Sequence, residues 1–242
     1  MTDNCVNAYL QKFGYTEFTP KTVMFDMDGT VYDSMHNHAV CWQKAMAEFG
    51  IDMPYADTYK YEGMRGVETI QIVVKQQQGR DITEAEAQEM YDEKARLFGL
   101  LPKAPVMPGT FDLMRKIKSA GMQVGIVTGS GQRPLIARLE EDFHEFLDRA
   151  HIVCAYDVSH GKPAPDPYLM GLEKAGCHHP WEGIVVENAP LGVRSGAAAG
   201  MFTVAINSGP LPDKVLADAG ADIIVPDMQT LCDNWEKIIG KE

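Results

Sequence analysis

The sequence predicts an α/β chain: a parallel sheet covered by helices on both faces, with a small all-helical unit inserted after the first strand. Three observations carry this. Short continuous apolar runs (Val23-Met24-Phe25, Val124-Gly125-Ile126-Val127 and Gly183-Ile184-Val185-Val186) alternate with helical patterns, as strands buried on both faces do. Each run ends in polar residues: Asp26 and Asp28, Thr128 and Ser130, Glu187 and Asn188. From Met35 to about Lys103 the apolar residues recur at helical spacing without any strand run.

In chain order, residues before Lys21 read as a short helix or arm. Val23–Phe25 is a strand ending in two aspartates spaced i and i+2, which an extended backbone presents on one side. Gly29 then breaks the strand. An acidic turn would explain Asp28-Gly29, but not Asp26 directly after Phe25, because carboxylates at the end of a buried strand are costly unless a cation or a reaction uses them. The helical stretch carries Val40, Trp42, Met46 and Phe49, then Ile70, Ile72, Val73 and Val74, then Met90, Leu97 and Phe98. Thr83-Glu84-Ala85-Glu86 is a capping-box start inside it. The prolines of Leu101-Pro-Lys-Ala-Pro-Val-Met-Pro-Gly109 cannot continue a helix and make this the return hinge. βα units resume from Thr110. Val124–Val127 ends in Thr128-Gly129-Ser130, Ile152-Val153 runs towards Gly161-Lys162-Pro163, and Gly183–Val186 ends in Glu187-Asn188 ahead of a small-residue helix from Ala189 to Gly200. Ligands of parallel α/β sheets sit at the carboxyl ends of the strands, where these polar residues gather.

The 242 residues suffice for one α/β domain plus a smaller one. With 22 basic and 34 acidic residues the formal charge is -12, which disfavours nucleic acid or an anionic membrane surface as partner. An anionic substrate then needs local cations. Five scattered cysteines without a Cys-x-x-Cys pair indicate neither zinc nor a disulfide framework. No apolar stretch approaches the ~20 residues of a membrane span, and the first residues lack the basic-then-apolar pattern of a signal peptide, so a cytoplasmic protein is expected. Trp42, Trp181 and Trp235 read as packing residues, His178-His179 as a surface loop, and Arg133, Arg138 and Arg194 have no distinctive context.

Asp26-x-Asp28-Gly-Thr after an apolar strand resembles the nucleophile motif of the haloacid dehalogenase (HAD) superfamily. Thr128, Lys162 in Gly-Lys-Pro-x-Pro-x-Pro, and Glu187-Asn-Ala-x-x-Gly-x-x-x-Gly-x-x-Ala-Gly follow in the order of that superfamily's remaining motifs. From about Lys21 onwards the chain looks most like the β-phosphoglucomutase-like branch. The resemblance implies a Rossmann-like core of residues 1–34 and 105–242 with a helical cap at 35–104. It also implies a Mg²⁺-dependent phosphohydrolase, a monomer acting on a small phosphorylated substrate. Asp26 would be the nucleophile that forms an aspartyl-phosphate, and Asp28 the general acid and then base. The metal would be held by Asp26, the Asp28 carbonyl, Glu187 and Asn188. Thr128, Gly129 and Ser130 would bind phosphoryl oxygens, and the helix N-terminus behind them suits an anion. Lys162 would neutralise nucleophile and phosphate, whose repulsion costs about 4 kcal/mol per unit-charge pair at ~4 Å and an effective dielectric of ~20.

Asn188 departs from the family pattern, which usually has an aspartate there. Glu62, in Tyr61-Glu-Gly-Met-Arg65, is the cap carboxylate able to restore the missing charge. With Glu-Gly in the cap and Glu-Asn-Ala-Pro-Leu-Gly in the last motif, the chain resembles inorganic pyrophosphatase members, which makes pyrophosphate the leading expected substrate. The alternative is a sugar-phosphate phosphatase or hexose-phosphate mutase: His38 and Lys94 fall where mutases keep a substrate-binding histidine and lysine. Against the mutase, Gly66 stands where the mutase cap has an arginine, and Arg65 one position away points about 100° elsewhere on a helix. A non-catalytic regulatory module would have no need of Asp26.

Overall fold

The computed structural model describes residues 2–240. Six strands, β1 (Thr22–Phe25), β2 (Gln123–Val127), β3 (Leu147–Val153), β4 (Gly183–Glu187), β5 (Phe202–Ile206) and β6 (Ile223–Val225), form one sheet in the order β3-β2-β1-β4-β5-β6. Every neighbouring pair is parallel. The sheet is thus the expected Rossmann-like α/β core. Its third strand begins at Leu147, earlier than the Ile152-Val153 run suggested, because exposed residues at 148–150 conceal the apolar pattern.

Alternation along the strands divides the interior between two faces. Val23, Phe25, Ile126, Ile184 and Val186 meet Tyr9 of α1 (Thr2–Phe13), and Leu113 and Ile117 of the later helix Thr110–Ser119, on one face. Met24, Val127 and Val185 meet Tyr168 and Leu172 on the other. With both faces covered, β1 is buried at every residue, and truncating Phe25 to alanine would cost about 3–5 kcal/mol. The N-terminal arm is helix α1, whose Tyr9 hydroxyl donates to the Gly200 carbonyl at 2.9 Å.

Between β1 and β2 lie α2 (Met35–Glu48), α3 (Tyr55–Tyr61), α4 (Gly66–Gln78) and α5 (Glu84–Gly99), the inserted helical cap, followed by α6 (Thr110–Ser119) of the core. The cap has its own apolar interior around Trp42, Met46, Ile70, Val74 and Met90. The capping box at α5 forms as read: Thr83 Oγ1 accepts from the Glu86 N–H, and the Glu86 carboxylate accepts from the Thr83 N–H at 2.8 Å. Outgoing and returning chains run side by side. Asp33 donates to the Pro105 carbonyl at 2.9 Å, Met107 to the Val31 carbonyl at 2.9 Å, and Tyr32 bridges Val106 antiparallel. The core continues with α7 (Arg133–Asp142), α8 (Asp166–Lys174), α9 (Pro190–Ala198), α10 (Asp213–Ala219), α11 (Met228–Asp233) and α12 (Trp235–Ile238).

Candidate active site

β1 and β4 are neighbours, so their carboxyl ends bring Asp26 and the Glu187-Asn188 pair together; the Asp26 N–H donates to the Val186 carbonyl at 2.9 Å. The Asp26 side chain is buried. Its Oδ1 accepts from Lys162 Nζ at 2.6 Å, while Oδ2 has no hydrogen-bond partner. Lys162 also donates to Glu187 Oε1 at 2.6 Å and to the Val127 carbonyl at 2.8 Å, so three ammonium protons meet three acceptors. Burial pushes the Asp26 carboxyl up, Lys162 opposes, Glu187 adds to the rise, and the result is about 7. Burial works against the Lys162 ammonium, but the two carboxylates prevail and hold its pKa above the usual lysine range.

Glu187, expected among the metal ligands, has both oxygens occupied by protein donors. Oε1 takes Lys162 and the Tyr168 hydroxyl (2.9 Å), and Oε2 takes the N–H groups of Asn188 (3.0 Å) and Ala189 (3.2 Å). Asn188 Oδ1 accepts from Thr30 Oγ1 at 3.2 Å, and a Cβ at Gly29 would overlap the Asn188 amide, so glycine is needed there. On β2, Thr128 is buried with its hydroxyl accepting from the Ser130 N–H at 3.0 Å.

Asp28 faces the cap. Its Oδ1 accepts from Ser34 Oγ at 2.6 Å and lies 2.9 Å from His38 Nε2, a close polar contact whose N–H is not aligned as a hydrogen bond. Lys94 Nζ sits 2.7 Å from His38 Nδ1, buried among the rings of Phe98, Trp42 and Tyr91 at 5.0 to 5.8 Å. Burial raises the Asp28 carboxyl, but His38, then Ser34 and Lys94, outweigh it and bring it to about 2. Lys94 and His38 are each depressed, first by burial. Glu62, half-buried as a residue, closes over this group. Burial, then Asp28 and Asp26, hold its carboxyl well above the ordinary range.

A cavity of about 40 Å³ remains between cap and core, lined among others by Asp28, His38, Glu62, Lys94, Thr128 and Ser130. Gly129 is pressed against the cap: a Cβ there would lie 2.5 Å from the Gly63 carbonyl oxygen. A Cβ at Gly66 would strike the Tyr91 ring, so aromatic volume fills the space beside that position. The candidate catalytic, substrate-binding and metal residues read from the sequence (Asp26, Asp28, Glu62, His38, Lys94, Thr128, Gly129, Ser130, Lys162, Glu187 and Asn188) therefore stand at or next to one site. Tyr168 and Ser34 were not singled out, and Thr30 entered only as the last residue of the Asp-x-Asp-Gly-Thr motif; nothing local marks their bonds. Trp42, expected only to pack, also lines the cavity. Arg138 stacks 4.1 Å from the Tyr32 ring centre and donates to Asp142 and the Ala104 carbonyl, outside the site.

A parallel sheet carrying a buried Asp-x-Asp pair on a central strand, faced by a buried lysine and closed by a helical cap, is the architecture of the capped α/β hydrolases. The chain belongs to the haloacid dehalogenase-like hydrolase family, whose profile matches residues 20–200. It is 28% identical to a β-phosphoglucomutase of Bacillus subtilis over 234 residues, covering 90% of this chain and 96% of that one. It is 30% identical to hexitol phosphatase A of Escherichia coli over 188 residues, covering 78% and 83%. A solved structure from Bacteroides vulgatus, provisionally named a β-phosphoglucomutase, superposes with a TM-score of 0.94 at 43% identity over 99% of this chain and 97% of its own. The expected inorganic pyrophosphatase branch finds no support among these relatives; the β-phosphoglucomutase-like one does. Among the described residues no helix is long and apolar enough to cross a membrane.

Proposed function

We propose that this enzyme is a Mg²⁺-dependent phosphatase of small phosphorylated sugars or polyols that works through an aspartyl-phosphate on Asp26. The observation that carries the reading is Lys162 fixed at 2.6 Å from both Asp26 and Glu187 beneath the Thr128 loop. The relatives supply the substrate class. A carboxylate oxygen of Asp26 attacks phosphorus, the ester P–O bond breaks, and Asp28 gives a proton to the departing alcohol. Asp28 then takes a proton from water, which attacks the phosphoryl group, releases phosphate and restores Asp26. At rest Asp28 is held ionised by His38 and Lys94; an arriving phosphate dianion works against them and favours the protonated acid.

A divalent cation fits on two grounds. Asp26 Oδ2 is buried without a partner, and the four carboxyls of Asp26, Asp28, Glu62 and Glu187 have only the ammonium groups of Lys94 and Lys162 as nearby full positive charges. Among the described residues no group of three His, Cys, Asp or Glu side chains is arranged for a metal, so the set depends on neutral oxygens. Asp26, the Asp28 carbonyl, Asn188 and Glu62 would hold Mg²⁺, with Glu187 anchoring Lys162. When bound, the ion supplies positive charge between nucleophile and phosphate.

Tyr91 beside Gly66 favours phosphatase over mutase, because no cap arginine clamps a second phosphate there. Pyrophosphate remains the competing substrate, favoured by Glu62 and the 40 Å³ cavity and unsupported by the relatives. The test is turnover of hexose, hexitol and glycerol phosphates, pyrophosphate, and glucose 1-phosphate with added bisphosphate, with and without Mg²⁺, against Asp26→Asn. Phosphate release from the esters, lost in Asp26→Asn, is expected. Exclusive pyrophosphate cleavage, isomerisation without release, or turnover by Asp26→Asn within tenfold of the parent would overturn the proposal.

A further inference from the structure

We infer that Tyr168 is a positioning residue that acts through Glu187 to keep Lys162 on the nucleophile. Residues at the start of α8 bring this side chain beneath the sheet. Pro165 and Pro167 flank Asp166, the preset φ of Pro167 suits a first helical turn, and Tyr168 then points into the apolar layer beneath Met24, Val127 and Val185. The residue is fully buried, and its phenol is held protonated by burial and by the carboxylates of Glu187 and Asp26. A buried hydroxyl without a partner is costly; this one donates to Glu187 Oε1 at 2.9 Å. Its ring centre lies 5.2 Å from Lys162 Nζ.

The consequence lies in how a single ammonium is shared. Asp26 Oδ1 and Glu187 Oε1 both draw on Lys162 at 2.6 Å. Backbone N–H groups satisfy Glu187 Oε2, so Oε1 is the oxygen whose demand on Lys162 can change. The Tyr168 hydroxyl meets part of that demand with a neutral donor. Without it, Oε1 depends on Lys162 alone and draws the ammonium from Asp26 and from the oxygens of a transferring phosphoryl group. An aromatic ring of the same shape without the hydroxyl would pack equally well, so the packing and the positioning roles separate cleanly.

The inference rests on the phosphatase reading for its kinetic arm and on nothing but Lys162 for its spectroscopic arm. Tyr168→Phe, Glu187→Gln and the double variant are compared with the parent using p-nitrophenyl phosphate and Mg²⁺, alongside ¹⁵N spectra of the buried Lys162 ammonium and thermal melts. Tyr168→Phe is expected to melt near the parent, lower kcat about tenfold with KM within about twofold, and shift or broaden the Lys162 resonance. In the Glu187→Gln background, where no second carboxylate competes, the same change should alter kcat less than about twofold. Unchanged kcat in Tyr168→Phe, or losses that multiply in the double variant, overturn the inference. If the parent hydrolyses no ester, the phosphatase reading fails, and the inference is then decided by the Lys162 resonance, overturned if it matches the parent's in Tyr168→Phe.

Discussion

His38 Nε2 lies 2.9 Å from Asp28 Oδ1, so a residue of the first cap helix touches the carboxylate that follows the first core strand. Lys94, on the last cap helix, donates to the other ring nitrogen at 2.7 Å and so places the ring proton on the side facing Asp28. Lys94→Met should therefore lower kcat by about tenfold or more, a fraction of the ~10²–10⁴ a positioned acid supplies. Stability should change less than turnover, because removing a buried, desolvated ammonium is offset by the loss of a cation beside Asp28 and Glu62 and of the partner of His38 Nδ1. Parallel kinetics and thermal melts check this; equal losses in both would show Lys94 to be structural.

Gly129→Ala probes cap closure. The added Cβ would sit 2.5 Å from the Gly63 carbonyl, a backbone atom that cannot swing aside, so the cap must ride higher. A misplacement of that size costs about a hundredfold in turnover. The core is untouched, so the melting temperature should stay close to the parent, and limited proteolysis should cut the cap hinge faster.

Glu62→Ala should raise the half-saturating Mg²⁺ concentration about tenfold, the scale for a lost metal-site partner. The carboxyl is pushed up by burial, Asp28 and Asp26, so Glu62→Gln, which removes the repulsion, should stabilise the metal-free protein in thermal melts. Metal titrations with a hexose phosphate and with pyrophosphate measure both effects. Identical Mg²⁺ dependence in parent and Glu62→Ala would leave Glu62 as a cap-surface residue.

Glu182 contributes to acid stability. Lys21 and the N–H groups of His178 (2.7 Å) and His179 (2.9 Å) bind its carboxylate and lower its pKa from 4.5 to about 2. A group depressed on folding stabilises above its unfolded value and loses that contribution as pH falls through the folded one. Stability should therefore decline between about pH 4.5 and 2, and less steeply in Glu182→Gln. Melts across that range test the slope; the Lys21 part is small because that ammonium is largely in solvent.

Asp26, Thr128, Lys162 and Asn188 were legible because each follows an apolar run or a proline-framed turn, and parallel sheets collect such ends at one edge. The Lys94–His38 contact spans 56 positions and the Tyr168–Glu187 bond 19, so each exists only once helices pack, and local pattern carries no trace of them. The substrate was read less well. Asn188 and Glu62 suggested pyrophosphate through a charge argument and a resemblance carried by two short motifs, which hold no trace of the packing, such as Tyr91 against Gly66, that shapes the cavity.

Asp33 paired with Pro105 and Val31 paired with Met107 place the cap's exit and return side by side. A segment joined to its host through two adjacent ends behaves as a plug in a socket. Its interior around Met46 and Ile70 is its own, and closing a longer or shorter loop across that gap costs only a logarithmic entropy term. A foreign helical lid could therefore be grafted between these ends without disturbing the sheet, provided that it returned to Asp28 groups equivalent to His38, Lys94 and Glu62.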